Sequence, residues 1–386
     1  MPSNLKARLG RIRESVPRNG KGSEHHDISP VAGMEPAIQT PDAWPGWSES
    51  GFKTLKRQFT RELPFPVPAA FPKALAILVP DFDRAGRLPA PDELLFFDLE
   101  TTGLSGGAGT VAFLAAFGRF AASGELPSRI ELTQYLLLDY SGESDFIENV
   151  IKEFTAFPAP FVVSYNGKSF DSQILRTRCL MNGIMPPPYF HADLLHSARR
   201  LWRRKLPDCS QATIELSVLG LDRSGDVPGV MAPDIWFSFL RSGDKKELLS
   251  VCDHNGRDIS GLAALFLALG EIADAPLESR SRFRFDEEAL AMSWRKALKK
   301  PSSIFGSSER NRALLLLESA AKKGYPLAAI AMAKTAEWQL GDPALALEYT
   351  NGALHAGELP ERLREDLEKR RSRLEGKIAG RLPHKC

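Results

Sequence analysis

The sequence is poor in cysteine, with only four among 386 residues: Cys179, Cys209, Cys252 and Cys386. No two of them form a CxxC pair, which argues against a zinc knuckle, a redox motif or a dense disulfide framework. This usage is typical of a reducing cytosol. The chain also has no apolar signal-peptide core and no apolar run of transmembrane length. We therefore expect a cytoplasmic protein with no membrane partner.

Net charge is small as well, +2 at pH 7, so any affinity for nucleic acid has to come from local basic patches. One patch lies at the N-terminus: Lys6, Arg8, Arg11, Arg13, Arg18 and Lys21. The other is the stretch ARRLWRRK at 198–205. Two interpretations of this second patch stay open. It is either a solvated helix face or a phosphate-tracking surface on which Arg200 and Arg203 bind the strand and Trp202 stacks on a base.

Composition divides the chain into four parts. Residues 1–45 are rich in Gly, Ser, Pro and charge, which predicts a flexible basic arm. Residues 46–92 are irregular and are predicted to be a lead-in segment that packs on the next domain. Residues 93–276 carry the strand and helix patterns of a folded domain. Residues 286–386 form a region with helical periodicity throughout.

The 93–276 part predicts an α/β fold. Three strand patterns joined by short turns are followed by a helix, a fourth strand (PFVVSYNG) and another helix. This order predicts a mixed sheet flanked by helices.

The last part predicts a small all-α module of helical hairpins. Its turns fall at Gly324, Gly341 and Gly357, and the first and last of these are 33 residues apart. That spacing is close to the tetratricopeptide period. We expect this tetratricopeptide-like module to bind a protein partner or to brace the domain before it.

Two acids interrupt the apolar strand LLFFDLETTGL, namely Asp98 and Glu100. An ionised carboxylate removed from water without a partner is costly. Because side chains alternate along a strand, both acids lie on the same face. They therefore mark either a solvated strand end or a site that holds a cation.

Other acids stand in unusual places. Asp171 opens the helix after the fourth strand, where an acid could simply complement the helix dipole. His254 and Asp258 are four residues apart and share one helix face, and that face is otherwise apolar around Asp258. A buried arginine could compensate Asp258 there, but a metal would compensate it better. Asp193 is better interpreted as a helix N-cap than as part of the site.

Taken together, Asp98, Glu100, Asp171 and Asp258 form a set of oxygen ligands. Such sets suit hard cations such as Mg²⁺ or Mn²⁺ rather than zinc. Two of these ions side by side form the clamp used in phosphodiester hydrolysis.

The order of motifs carries a family resemblance. FFDLETTGL, YNGKSFD and HNGRD resemble the D-x-E, N-G-x-x-F-D and H-x-x-x-D motifs of the DEDD 3′–5′ exonuclease superfamily, which has the ribonuclease H-like fold. More narrowly, FFDLETTGLSGGAGT, DVPGVMAPDIWFSFLRSGD and HNGRDISGL resemble the YprB-like group. That group often carries a C-terminal tetratricopeptide-like segment.

The resemblance implies roles for single residues. Asp98, Glu100 and Asp258 would bind two Mg²⁺ or Mn²⁺ ions with the help of Asp171, and His254 would be the general base. His254 stands at the spacing that members with Tyr use. Asn166 would orient substrate or backbone. The Gly-rich stretch GLSGGAGT lacks the ending of a P-loop and is interpreted as a turn. Its residues Gly103 and Leu104, together with Thr101 just before it, could also touch a 3′-terminal nucleotide.

We therefore expect a metal-dependent 3′–5′ exonuclease acting on single-stranded DNA or RNA. A non-catalytic nucleic-acid-binding scaffold that works through its helical tail is an alternative, although a scaffold needs no set of four carboxylates. A structure-specific endonuclease on the same fold is another.

Overall fold

The computed structural model describes residues 44–103, 109–121, 128–155, 161–299, 302–355 and 359–380. At its centre lies one mixed sheet of seven strands in the order β1-β2-β5-β4-β3-β6-β7. The strands are β1 Ser48–Gly51, β2 Thr54–Glu62, β3 Leu94–Thr101, β4 Ala112–Phe120, β5 Arg129–Leu137, β6 Phe161–Ser164 and β7 Phe190–Asp193. The predicted α/β fold is confirmed. The predicted N-terminal arm lies almost wholly outside the described residues.

The pairing places β3 between antiparallel and parallel neighbours. β3 runs antiparallel to β4 and parallel to β6, which is parallel to β7. The hairpin β1–β2 extends the sheet beyond β5 in antiparallel pairing. Neither β7 nor this hairpin was assigned from the sequence. β7 has only four residues, and most of β2 is only partly buried, so neither shows a long apolar alternation.

Helices cover both faces of the sheet. In the domain they are α1 Leu75–Leu78, α2 Pro80–Ala85, α3 Glu143–Thr155, α4 Asp171–Met181, α5 Leu194–Trp202, α6 Gln211–Ile214, α7 Ala232–Ser242, α8 Lys246–Asp274 and α9 Arg280–Phe283. One face packs against α1, α2, α5 and most of α8. The other face packs against α3, α4, α7 and the first turns of α8.

The long helix α8 is central to this arrangement. From Ile259 to Ala273 nearly all side chains of α8 are buried. This burial is the reason why the helix is apolar around most of its circumference. It lies close against the sheet because Gly118 of β4 has no side chain. A Cβ there would come within 2.5 Å of Ile259 Cγ2. This close packing brings the polar residues of α8 to the acids of β3.

Beyond the domain the chain is helical, as expected. The helices are α10 Glu287–Ala297, α11 Ser307–Lys322, α12 Pro326–Thr335, α13 Pro343–His355 and α14 Glu361–Ala379. Consecutive helices of this series pack on one another. The predicted turns at Gly324 and Gly341 are present, with φ of 83° and 66°, and Gly357 lies outside the described residues. The helical module is confirmed, whereas its tetratricopeptide character and the domain boundaries remain predictions.

In the described ranges, no helix combines the length and the apolar character needed to span a membrane.

Candidate metal and active site

Strand β3 and helix α8 together bring acids and a histidine to one point. Asp98 and Glu100 lie on the face of β3 that packs towards α8, and His254 and Asp258 lie one turn apart on that helix. One ligand atom each from Glu100, His254 and Asp258 falls within 4.8 Å of the other two. The sequence-predicted pairing of strand acids with helix acids is therefore present in space.

Electrostatics show that the four predicted carboxylates share this site. Burial raises the pKa of Asp98 well above its usual range, and the nearby charges of Asp171, Asp258 and Glu100 raise it further. The pKa of Glu100 is raised by burial, and then by Asp258 and Asp171. Burial raises the pKa of Asp171 to about 7. Such mutual repulsion is what a divalent cation would relieve.

Asp171 is placed by the loop between β6 and α4. It is the first residue of α4, as predicted, and is buried. Gly167 has to be glycine here, because a Cβ would lie 2.4 Å from Ser164 Oγ and 2.9 Å from Asp171 Oδ2. The loop is fastened by Asp193, which accepts hydrogen bonds from the backbone N–H of Asn166 (2.8 Å) and of Lys168 (3.2 Å).

The predicted cap role of Asp193 is confirmed, since it also accepts from the N–H of Leu195 at the start of α5 (3.1 Å). Asn166 has a left-handed backbone with φ of 66°, which Asn tolerates better than most residues. Its side chain is exposed, so its amide is accessible to a substrate.

His254 is held by a residue that sequence analysis missed. Its Nδ1 lies 2.9 Å from Asp226 Oδ2, and its Nε2 lies 3.2 Å from Asp258 Oδ2. Asp226 opens the stretch DVPGVMAPDIWF, to which no chemistry was assigned. That loop passes close over the imidazole at Gly229, where a Cβ would lie 3.2 Å from His254 Nε2. Asp226 is 28 residues from His254, and no spacing rule connects the two.

Asp258 also has an arginine partner. The Arg223 guanidinium contacts Asp258 Oδ1, and its Nε donates to the buried Glu215 at 2.5 Å. Of the two compensations left open by the sequence, the arginine is therefore present. The second carboxylate oxygen of Asp258 still faces His254. Burial raises the pKa of Glu215 to about 7 even though the charge of Arg223 opposes this shift.

Glu215 itself fits against α8 only because residue 261 is glycine. A Cβ at Gly261 would lie 1.8 Å from Glu215 Oε1. The second glycine of the motif HNGRDISGL therefore makes room for the carboxylate that pairs with Arg223.

A buried chain of amides orients Asp98. Asn255 Nδ2 donates to Asp98 Oδ2 at 2.7 Å, and Asn255 Oδ1 accepts from Gln134 Nε2 at 2.9 Å. Gln134 Oε1 in turn accepts from Arg57 Nε at 2.5 Å. Asp98, Ala116, Gln134 and Arg57 are direct cross-strand neighbours on β3, β4, β5 and β2. The small side chain of Ala116 leaves the space above it for Asn255.

The residues present fit a divalent cation. The site combines four carboxylates with one imidazole, and carboxylate oxygens are ligands that hard divalent cations prefer. The hydrogen bond from Asn255 to Asp98 is the kind of outer contact that orients a metal ligand, and Asp226 orients the imidazole of His254 in the same way.

The predicted substrate residues of the Gly-rich turn are only partly described. Thr101 is buried, and its Oγ1 donates to the carbonyl of Gly103 at 2.9 Å, so its hydroxyl stabilises the turn. Gly103 is partly exposed next to the acids of β3. Leu104 lies outside the described residues.

The predicted stacking role of Trp202 is wrong. Its ring is fully buried, and its Nε1 donates to the carbonyl of Phe283 at 2.8 Å. Arg200 is also occupied, because its Nη1 donates to the carbonyls of Ile77 (3.3 Å) and Leu78 (3.1 Å) at the end of α1. Carbonyl groups at the end of a helix have no hydrogen-bond partner within the helix, and Arg200 is the donor that they have here. Arg203 is exposed, and its phosphate contact remains a prediction.

Comparisons with known proteins match this domain. Residues 95–269 match the family model RNase_H_2, described as the RNase_H superfamily. Over 183 residues the chain is 36% identical to the uncharacterized protein YprB of Bacillus subtilis (strain 168), a match that covers 47% of this chain and 42% of YprB. The chain thus spans less than half of that relative. These matches support the resemblance to ribonuclease H-like and YprB-like proteins inferred from the motifs, whereas the narrower assignment to the DEDD exonucleases remains a prediction.

Two solved structures also match. One is titled "The structure of exonuclease I suggests how processivity is achieved", with 18% identity and a TM-score of 0.28 over 41% of this chain and 45% of that chain. The other, "Exonuclease I (apo)", has 18% identity and a TM-score of 0.28 over 41% of this chain and 46% of that chain.

Proposed function

We propose that this chain, whose residues 95–269 form a domain of the ribonuclease H superfamily, is a divalent-metal-dependent 3′–5′ exonuclease that acts on single-stranded nucleic acid. The observation that carries the proposal is the gathering of four carboxylates and His254 at the end of β3. A purely structural site would gain nothing from acids that raise one another's pKa. The 3′–5′ direction rests on the order of the three motifs in the sequence.

Asp98, Glu100, Asp171 and Asp258 would hold two Mg²⁺ or Mn²⁺ ions. When bound, such ions activate water and neutralise the charge that develops on the phosphodiester. The protein's part is to fix the carboxylates in place. Asn255 does this for Asp98 through the hydrogen bond to its Oδ2.

His254 would accept the proton of the attacking water. With the Nδ1 proton donated to Asp226, Nε2 carries the lone pair and faces Glu100 and Asp258. Imidazole is the side chain best suited to accept and release a proton at neutral pH. Asp226 therefore acts as the positioning residue that sets the tautomer.

The helical region Glu287–Ala379 would brace the domain or recruit a protein partner. Bracing is supported by Arg204, which follows α5 and pairs with Asp286 at 2.5 Å, at the start of α10. Partner recruitment rests on the helical hairpins alone.

The test is cleavage of 5′-labelled single-stranded RNA and DNA of the same sequence, with Mg²⁺, Mn²⁺ or EDTA. We expect a metal-dependent ladder that shortens from the 3′ end and is absent in Asp98→Ala. The matched control is Asp92→Ala, which removes an exposed acid just before β3 and should leave the ladder unchanged.

Intact substrates under every metal would refute the exonuclease assignment for these strands and favour a binding scaffold, with structured substrates as the remaining test of an endonuclease. Cleavage of a circular substrate would instead identify an endonuclease.

A further inference from the structure

The face of β2 that looks towards α8 carries an aromatic ring between two arginines. Arg57, Phe59 and Arg61 alternate along the strand and so lie on one face. The Arg57 guanidinium lies 4.8 Å from the centre of the Phe59 ring, and that of Arg61 lies 5.5 Å from it. Both distances are within the range of cation–π contact.

Helix α8 brings a third arginine to the same place. A Cβ at Gly256 would lie 3.1 Å from Phe59 Cζ, so this turn of the helix is against the ring. The next residue, Arg257, has a side chain that is 40% exposed, and its Nη1 lies 3.2 Å from Asp226 Oδ1. Arg257 is also the residue directly before Asp258.

The three arginines differ in their partners. Arg57 donates to Gln134 at 2.5 Å and to Asp253 at 2.9 Å, and so belongs to the chain of contacts that leads to Asp98. Within the described ranges, Arg61 has neither a hydrogen-bond nor an ion-pair partner, although it is only partly exposed. Burial lowers the pKa of Arg61; the charges of Asp253 and Asp226 oppose this shift, whereas those of Arg257 and Arg57 add to it.

An arginine in this position is in an unfavourable environment for its charge. Partly buried arginines are ordinarily paired, since their donors otherwise go unsatisfied. The contact of the Arg61 guanidinium with the Phe59 ring leaves its N–H donors without an acceptor in the described ranges, and the charge of Arg257 acts against its own. An anion between the two guanidiniums would offset both the repulsion and the missing hydrogen bonds.

We infer that Arg61 and Arg257 form a binding site for a phosphodiester of the nucleic-acid backbone, on the β2 side of the candidate active site. The site is connected to it through two short contacts, Arg257 to Asp226 at 3.2 Å and Asp226 to His254 at 2.9 Å. The inference rests on the proposed function in its choice of ligand. A strand whose 3′ end reaches the carboxylates would place a phosphate of an earlier nucleotide here.

The test is binding of 5′-fluorescein-labelled 20-nucleotide oligo(dT) and oligo(U) by fluorescence anisotropy in EDTA, so that no cleavage interferes. We expect Arg61→Ala to raise Kd about tenfold for both oligonucleotides, because a charge-assisted hydrogen bond to phosphate is lost. The plot of log K against log salt concentration should also become less steep, by the amount that corresponds to about one phosphate contact. An effect on only one oligonucleotide would show that the site reads the sugar and overturn the backbone assignment.

The matched control is Arg129→Ala. Arg129 is an exposed arginine on β5, next to the cross-strand neighbour of Arg61 but on the opposite face of the sheet. The substitution Arg129→Ala removes the same charge as Arg61→Ala, from the same end of the sheet. Arg61→Lys serves as the conservative variant and should recover most of the affinity. Equal losses of affinity in Arg61→Ala and Arg129→Ala would overturn the site, since net charge alone would then explain both.

Two results separate this site from the proposed function. If binding depends on Arg61 but no metal supports cleavage, the phosphate site stands and the exonuclease proposal fails. If cleavage is observed while Kd and KM of Arg61→Ala match those of Arg129→Ala, the exonuclease proposal stands and the site is refuted. Absence of any binding by the wild-type chain would also refute the site. Thermal unfolding of each variant shows that the comparison is between folded proteins.

Discussion

Replacing Asn255 by alanine tests whether the buried amide chain orients the carboxylate of Asp98 for metal binding. Asn255 is fully buried on α8 and connects Asp98 to Gln134. In Asn255→Ala, Asp98 Oδ2 loses its donor, and Gln134 Nε2 keeps only the carbonyl of Cys252 at 2.8 Å. We therefore expect the variant to be less stable and to bind metal more weakly.

The size of the effect follows from the interactions that the substitution removes. One hydrogen bond to a charged group, one between amides and a small cavity together cost about 2–4 kcal/mol. In domains of a few hundred residues this corresponds to a fall in Tm of roughly 4–16 °C. Loss of an outer contact to a metal ligand typically weakens metal affinity or activity about 10–100-fold.

The assay is a thermal-unfolding titration with Mn²⁺, which measures metal binding independently of catalysis. The concentration of Mn²⁺ that gives half of the Tm increase should rise at least about tenfold in Asn255→Ala. The matched control is Asn149→Ala, since Asn149 is a buried amide on α3 that donates to the carbonyl of Ser50 at 2.6 Å.

Asn149→Ala should lower Tm but leave the Mn²⁺ dependence unchanged. An Asn255→Ala chain with the wild-type Mn²⁺ dependence and kcat would refute the positioning role, however large its loss of stability.

Three further predictions concern other parts of the molecule. Arg223→Met removes the cation that pairs with Asp258 and the buried Glu215. We therefore expect the free energy of unfolding, measured in urea, to fall by about 3–5 kcal/mol, and Mn²⁺ to restore part of it. Unchanged stability would contradict this pairing. Hydrogen bonding to Arg373 and the other cations of α14 lowers the pKa of Glu337 to about 2. The contribution of ionised Glu337 to the free energy of unfolding is therefore fully present above its unfolded-state pKa of about 4.5, and it is lost as the pH falls towards 2. The stability difference between Glu337→Gln and wild type, about 1–3 kcal/mol at pH 7, should shrink over that window in urea unfolding, and a constant difference would rule out the ion pairs as its cause. Trp202→Phe should lower Tm without changing Kd for oligo(dT), whereas weaker binding in a variant of unchanged Tm would restore its stacking role.

The sequence was sufficient where function depends on residues close together in the chain. Asp98 and Glu100 share a face because strand side chains alternate, and His254 and Asp258 share one because they are a helical turn apart. An acid among apolar residues signals a site regardless of the fold. These local rules predicted four of the seven strands, a mixed sheet flanked by helices, and the four acids.

Residues that reach the site from distant parts of the chain could not be predicted in this way. Gln134 contacts Asn255 because of the register of β3, β4 and β5, and a register is not visible in one strand alone. Asp226 and Arg223 lie in a loop without periodicity that folds back over α8.

The error at Trp202 has a related cause. A cluster of cations suggested an exposed helix face, but the apolar side of that helix packs on the residues around Phe283 and α10. The partner of a helix face is a tertiary property, and composition does not reveal it.

The most direct test of the central claim, that the four carboxylates hold divalent cations, is to count Mn²⁺ bound per chain by calorimetry or electron paramagnetic resonance. The wild-type chain should bind two Mn²⁺ ions, and Asp98→Asn should lose at least one of them while remaining folded. Wild-type protein that binds no Mn²⁺, or an Asp98→Asn chain that binds as the wild type does, would contradict the account.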